Sequence, residues 1–207
     1  MLIELYPQFL SIAIIHLFAV MSPGPDFALI VRQSLSYGRK ISIATSIGIG
    51  VGILFHIFYC VIGIGLIISK HPYIFNVIKI SGALYLIHIG WKSIFSKSVL
   101  KLQDKAQKNT ASYFNAFITG FITNILNPKA TLFFLSLYTF IINEQPLISI
   151  QALYGIWMSA ITTLWFSLLS IILTSKLVLS QINQFVNSVQ RATGIILVLA
   201  ACRLLFF

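Results

Sequence analysis

Six long apolar blocks decide what this chain can fold into. They run over residues 9–31, 41–68, 73–95, 114–142, 148–174 and 189–206. Each is close to the ~20 residues that a helix needs to cross the hydrocarbon core of a bilayer. Apolar residues gathered in such blocks, rather than scattered with a helical or strand period, indicate membrane spans and not one water-excluded core. Only 9% of the 207 residues are charged, against 58% hydrophobic, whereas a soluble domain carries about 25% charged residues. The predicted fold is therefore an all-α integral membrane protein with six transmembrane helices. A single transmembrane domain over residues 1–207 is expected, because no polar stretch is long enough to fold by itself.

The charge that remains is lopsided, with 14 Lys+Arg against 4 Asp+Glu. In a soluble protein this balance would suggest nucleic acid, but no basic run interleaved with aromatics occurs, so no nucleic-acid partner is expected. The positive-inside rule accounts for the excess. Arg32, Arg39 and Lys40 lie between the first two blocks, Lys92, Lys97, Lys101, Lys105 and Lys108 between the third and fourth, and Lys176 and Arg191 between the last two. The other side has only Lys70 and Arg203 near the membrane, with Glu4 and Glu144. This distribution predicts a cytoplasmic loop at about residues 96–112 (SKSVLKLQDKAQKNTAS) and both termini outside. The first basic residue is Arg32, so the charged leader of a cleavable signal peptide is missing and the first helix is expected to stay. Cys60 and Cys202 fall inside apolar blocks and say little about compartment.

The central loop divides the chain into halves at about residues 1–95 and 113–207. Blocks one and four are both interrupted by proline near mid-length. Three helices per half is an odd number, so the expected arrangement is two inverted three-helix repeats with helices 1 and 4 broken. Interrupted segments at matching positions of inverted halves point to a transport site.

The first interruption is Ser22-Pro23-Gly24-Pro25-Asp26. Proline lacks a backbone donor and clashes with the preceding turn, so two prolines around a glycine should end one half-helix and start another. Ser22 suits an N-cap and a proline suits the first turn of the new segment. A simple kink would explain one proline; two prolines, a glycine and a carboxylate together indicate a site. Asp26 is the only acidic residue in the six blocks. An aspartate near the bilayer centre costs about 3 kcal/mol on insertion scales, so such groups line cavities or pair, and Lys129 is the obvious partner for a structural ion pair.

The second interruption is Asn127-Pro128-Lys129-Ala130. Asn127 suits an N-cap and Pro128 the first helical position. Upstream, Asn115, Thr119, Thr123 and Asn127 recur every four residues with Asn124 beside them, a slowly winding polar stripe. Asn115 and Thr119 read equally as pore lining or as interhelical hydrogen bonding, and Thr123 joins them as candidate lining; Asn124 and Asn127 are expected at the site. Given the orientation, the second halves of both broken helices begin near the midplane. Their N-termini offer partial positive charge and free N–H groups to a carboxylate, while Asp26 offers the opposite sign to an ammonium group. The predicted substrate-binding residues are Asp26, Asn124, Asn127 and Lys129, with the breaks at Ser22, Pro23, Gly24, Pro25 and Pro128. Ala44, Gly48, Gly52, His56 and Cys60 share one face of the second block, a small-residue stripe for close packing. His56 could join a proton path or line the site but reads first as hydrogen-bonded packing, and His16 and His88 read the same way.

The segments SPGPD, SGALYLIHIGWK and GFITNILNPKATLFF, in this order and spacing, resemble the LysE/RhtB family of small bacterial amino-acid exporters. The resemblance covers essentially the whole length. Its motif positions fall on Pro23, Gly24, Pro25 and Asp26, and on Asn127, Pro128 and Lys129. It implies an all-α fold with an inverted repeat, residence in the bacterial inner membrane, and efflux of amino acids or similar zwitterions driven by the proton gradient. It does not choose among lysine, arginine, threonine, homoserine, leucine and others. The expected partners are an amino-acid substrate, protons and the lipid bilayer, with a homo-oligomer left open; no cofactor and no metal are expected.

Other classes fare worse. No Walker-type glycine loop occurs, so the chain is not expected to hydrolyse ATP. A membrane thiol–disulfide electron conduit would need cysteines at the two breaks. A metal-ion exporter would need more than one carboxylate and a Cys/His cluster. An intramembrane protease would need a G-x-S-x-G serine or an H-E-x-x-H pair, and neither is present, so no enzyme activity is expected.

Overall fold

The computed structural model describes residues 2–64, 72–95, 112–143, 147–174 and 182–206, and among them every regular element is a helix. Of the expected cytoplasmic loop at residues 96–112, all but Ser112 lies outside the described residues. The first apolar block forms α1 (Leu2–Met21) and α2 (Pro25–Tyr37), whose axes bend by 53° at the break. Ser22 is not the N-cap that its side chain suggested. It stays on the last turn of α1, its N–H bonded to the Phe18 carbonyl at 3.0 Å, and Gly24 precedes α2. The second proline sets the start, because at the first helical position its missing N–H is not needed and its fixed φ already fits.

Gly38, at φ 83°, turns the chain into α3 (Arg39–Tyr59); a side chain would be strained there. α3 runs on into a π-helical turn, Cys60–Ile64. Then follow α4 (Pro72–Phe95), α5 (Tyr113–Ile125), α6 (Pro128–Asn143), α7 (Ile148–Leu173) and α8 (Ile182–Phe206). The fourth apolar block is thus α5 plus α6, interrupted at Leu126 and Asn127.

α3 is central, lying along α5 on one side and α7 on the other, and α4 lies along α8. The small-residue stripe of α3 explains the first contact. A Cβ on Gly48 would overlap the backbone carbonyl of Phe117, and one on Gly120 that of Thr45, so the two backbones meet without side chains between them. Gly90 and Gly194 face each other in the same way where α4 meets α8. Polar side chains add hydrogen bonds between helices: Ser42 of α3 is 2.8 Å from Ser34 of α2 and 2.7 Å from Ser170 of α7.

Buried apolar side chains form a main cluster around Ile12, Ile53, Phe134, Met158 and Leu197, and a second one around Phe27, Ile49, Phe166 and Leu173. The outside is apolar too. Phe58, Trp91, Leu164 and Leu199 are each exposed by more than 60%, an arrangement that water would not tolerate over whole helix faces. Arg39–Gly63 and Ile148–Leu173 are each long and apolar enough to cross a bilayer alone, and Pro7–Met21 with Pro25–Tyr37 passes the same measure when the bent pair is counted as one span. The chain is a helical membrane protein.

Candidate functional site

Both helix breaks open onto one cavity of about 50 Å³, small beside the ~300–1,000 Å³ of small-molecule sites. Its polar end holds Asp26, Asn124, Asn127 and Lys129; its walls are apolar and aromatic, chiefly Ile53, Phe133, Phe134 and Phe166; His16 and Thr162 also reach it.

Asp26 follows Pro25 in the first turn of α2, where the helix dipole favours a carboxylate. Its Oδ2 accepts a hydrogen bond from Asn124 Nδ2 at 2.8 Å and another from Asn127 Nδ2 at 3.1 Å. Its Oδ1 is buried without a partner. The second broken helix therefore grips one oxygen of the carboxylate of the first and leaves the other free.

Asn127 is the joint of this arrangement. Its Oδ1 caps α6 by accepting the Lys129 N–H at 3.0 Å, while its Nδ2 reaches Asp26. Its carbonyl takes the Thr131 N–H at 3.0 Å, the first bond of the new helix. A side-chain amide can accept for the cap through its oxygen and donate to a carboxylate through its nitrogen at once.

Lys129, in the first turn of α6, crosses to the end of α1. Its Nζ donates to the carbonyls of Ser22 at 3.0 Å and of Ala19 and Pro23 at 3.4 Å. These are carbonyls that a terminating helix leaves without N–H partners, and a cation suits that end. Gly24 makes way for it, since a Cβ there would stand 3.2 Å from Lys129 Cδ. The direct ion pair between Asp26 and Lys129 that the sequence allowed is not formed within 4.0 Å. Each charge is held by neutral groups of the opposite half.

His56 does not line the cavity. It supports the site from behind: fully buried, it stacks on Phe134 with centroids 5.6 Å apart, and Nε2 lies 3.0 Å from the Asn124 carbonyl. A carbonyl only accepts, so Nε2 carries hydrogen and, in the neutral ring, Nδ1 accepts from the Tyr59 hydroxyl at 2.8 Å. Asn115, Thr119 and Thr123, the other candidate lining residues, are also not among those facing the cavity. Asn115 and Thr119 are exposed, and the Thr119 hydroxyl bonds the Asn115 carbonyl one turn back at 2.7 Å. On a helix of 3.6 residues per turn, each step of four drifts by about 40°, so the stripe leaves the cavity within a few turns of the break.

The sequence reading undervalued His16, which shares with Ala19, Val20 and Pro23 the three- and four-residue spacing of one helix face, the face that carries the break. That spacing was the available signal. Phe133 and Phe134 follow Lys129 by about one turn of α6 and carried the same signal, whereas Thr162 and Phe166 had none, because they come from a distant helix.

Gly52 keeps Asn124 in place. A Cβ there would fall 2.6 Å from Asn124 Oδ1 and 2.9 Å from its Cβ. In a free helix Gly→Ala gains about 1 kcal/mol, but overpacking costs about 1–3 kcal/mol. Gly52→Ala is therefore expected to lower thermal stability in detergent. An unchanged or raised melting temperature would show that the Asn124 side chain moves aside freely.

The model of the LysE type translocator family matches residues 17–206. The chain is 33% identical over 191 residues to the uncharacterized membrane protein YrhP of Bacillus subtilis, covering 86% of this chain and 89% of that one. It is 30% identical over 168 residues to the threonine efflux protein of Escherichia coli K12, covering 78% and 80%, and equally to that of Salmonella typhimurium. No solved structure matches. The chain belongs to the LysE type translocator family.

Proposed function

From that membership, we propose that this protein exports amino acids or closely related small zwitterions across the bacterial inner membrane by secondary active transport. The observation that carries the reading is the polar end of the cavity, where a carboxylate with one free buried oxygen and a lysine stand at the N-termini of two half-helices. Asp26 Oδ1 is the acceptor for the substrate ammonium. Lys129 and the first turns of α2 and α6 receive the carboxylate, since two of the three lysine contacts are long, at 3.4 Å, and exchangeable. The substrate-binding set is then Asp26, Asn124, Asn127 and Lys129, and His56 is a positioning residue.

Proton coupling follows from the same atom. A single carboxylate oxygen that takes either a proton or an ammonium alternates between the two, which is antiport. Six spans arranged as inverted repeats, residues 1–95 and 113–207, put α1/α2 and α5/α6 in corresponding positions. The packing of α3 on α7 and of α4 on α8 supports this, because each helix then meets its own counterpart. Both termini lie outside and the 96–112 loop in the cytoplasm, on the positive-inside argument. The threonine efflux relatives support an amino-acid cargo. A thiol conduit or a metal exporter lacks support, since the breaks hold Asp26 and Lys129 rather than thiols or a ligand cluster.

The test is amino-acid profiling of cytoplasm and medium with the gene deleted and overexpressed. Overexpression should raise one or a few amino acids outside the cell, and deletion should raise them inside. Pools that stay unchanged in every condition would remove the exporter reading.

A further inference from the structure

We propose that His16 is a second proton-binding residue of this protein, joined to Asp26 by water in the cavity, and that it hands the driving proton to the carboxylate from the outer side. The proposal rests on the exporter reading and adds to it the residue through which the proton reaches the substrate site.

His16 is 0% exposed, yet it lines the cavity together with Asp26. One ring nitrogen, Nε2, stands 3.3 Å from the hydroxyl of Thr162, another cavity residue. The other, Nδ1, is buried with no partner, as is Asp26 Oδ1. A buried polar atom without a partner costs free energy, and packing alone would be served by a phenylalanine, which has no such atom. The cavity, at about 50 Å³, is too small for an amino acid. It suits water, which needs about 10–15 Å³ per molecule and a few polar partners. Nδ1, the Thr162 hydroxyl and Asp26 Oδ1 supply those partners. The break begins six residues after His16, about 9 Å along α1. Two waters, joined by hydrogen bonds of ~2.8 Å, cover such a distance.

Histidine is the side chain that exchanges protons between about pH 5 and 8. Besides His16, only Asp26 and Lys129 among the described residues bring titratable groups to the cavity, and Lys129 is held by the Ser22, Ala19 and Pro23 carbonyls. The elements packed around the ring add no charge. α7, which has no charged residue, brings Thr162 and Trp157, and α3 brings His56 only from behind Phe134. α8 meets this stretch of α1 with Thr193 at Phe18 and with Ala200 and Leu204 at Ile15. On α1 itself the nearest charge is Glu4, twelve residues away. Phe133, Phe134 and Trp157 surround the imidazole with centroids 6.4, 6.1 and 5.9 Å away. Aromatic rings at about 6 Å attract a cation, so this wall tolerates a transient imidazolium. On the proposed orientation α1 runs inward, which puts His16 on the outer side of the break. A proton arriving from outside binds Nδ1. The Nδ1–H bond then breaks, the proton crosses the water, and an O–H bond forms at Asp26 Oδ1. His16 is neutral again, the carboxylate has become a carboxylic acid, and the substrate ammonium loses its counter-charge and leaves.

Purified protein in proteoliposomes tests this with radiolabelled threonine, or whichever amino acid the profiling raises, in two assays. One is net efflux driven by a proton gradient; the other is exchange of labelled for unlabelled amino acid at equal pH, which moves no net proton. His16→Asn keeps a polar group but no basic nitrogen. It should lower net efflux at least about tenfold and leave exchange within about twofold of wild type, since a positioned proton-transfer group is worth about 10²–10⁴-fold. Thr162→Val, isosteric and without the hydroxyl, should lower the ratio of net efflux to exchange at least about threefold, because the imidazolium loses the acceptor of its Nε2 hydrogen. This second variant decides the matter if His16→Asn does not fold. A ratio that stays at the wild-type value, whether both rates fall together or neither changes, would overturn the relay and leave the exporter reading standing. So would wild-type protein that exchanges amino acid but ignores the proton gradient. Wild-type protein that moves no amino acid in either assay would overturn both.

Discussion

Replacing Asp26 with asparagine is expected to abolish export while leaving the fold intact. The geometry makes the two effects separable. Oδ2 already accepts from Asn124 at 2.8 Å and Asn127 at 3.1 Å, and an asparagine oxygen in that place keeps both bonds. Its NH₂ then occupies the position of Oδ1, which has no partner to lose. Stability should change by less than about 1 kcal/mol, or rise, because a buried charge with one unsatisfied oxygen is removed. Function should fall by roughly 100-fold, because the ammonium loses a charged acceptor, about 1.5–3 kcal/mol, and no carboxylate remains to exchange a proton. Efflux from proteoliposomes and thermal unfolding in detergent measure the two separately. Near-normal efflux would show that the carboxylate serves only the protein itself.

Lys129→Met should fail differently, losing stability and efflux together. The lysine ammonium holds the Ser22, Ala19 and Pro23 carbonyls and so fastens the end of α1 to the start of α6. Methionine has similar length but no donor. The carbonyls at a broken helix end would be left inside a bilayer without partners, at an expected cost of about 3 kcal/mol. Had Asp26 and Lys129 served each other, Asp26→Asn with Lys129→Met together would restore what each alone destroys. Here they bond to different carbonyls and amides but share Asn127 and still attract each other through space. The double variant is therefore expected to recover part of the stability lost in Lys129→Met and to stay as inactive as Asp26→Asn. Recovery of efflux in the double variant would sink the assignment of these charges to the substrate.

Much of the architecture was legible in the sequence because a bilayer leaves few choices. The apolar blocks had to be helices, and the ends agree closely for two of them, 73–95 (α4, Pro72–Phe95) and 148–174 (α7, Ile148–Leu173), whereas α8 begins at Ile182, seven residues before the block at 189–206. Proline chemistry is as local as chain length, so both breaks and the capping role of Asn127 could be read directly. Ser22 was misjudged for a local reason too, since two prolines compete for the first helical position and the later one prevailed.

Residue type, order and spacing determined that this protein is helical, that it lies in a membrane, that two of its helices break, and that one carboxylate and one lysine stand at the breaks. What those groups touch was decided only by tertiary structure. Lys129 bonds carbonyls more than a hundred positions away, His56 supports Asn124 across 68 residues, and Thr162 meets His16 across 146. None of these distances leaves a periodic trace. Local backbone chemistry acts over a few residues and is written in sequence order, whereas a cavity is made wherever separate helices come together, and that follows from how glycine faces such as Gly48 and Gly120 let them approach.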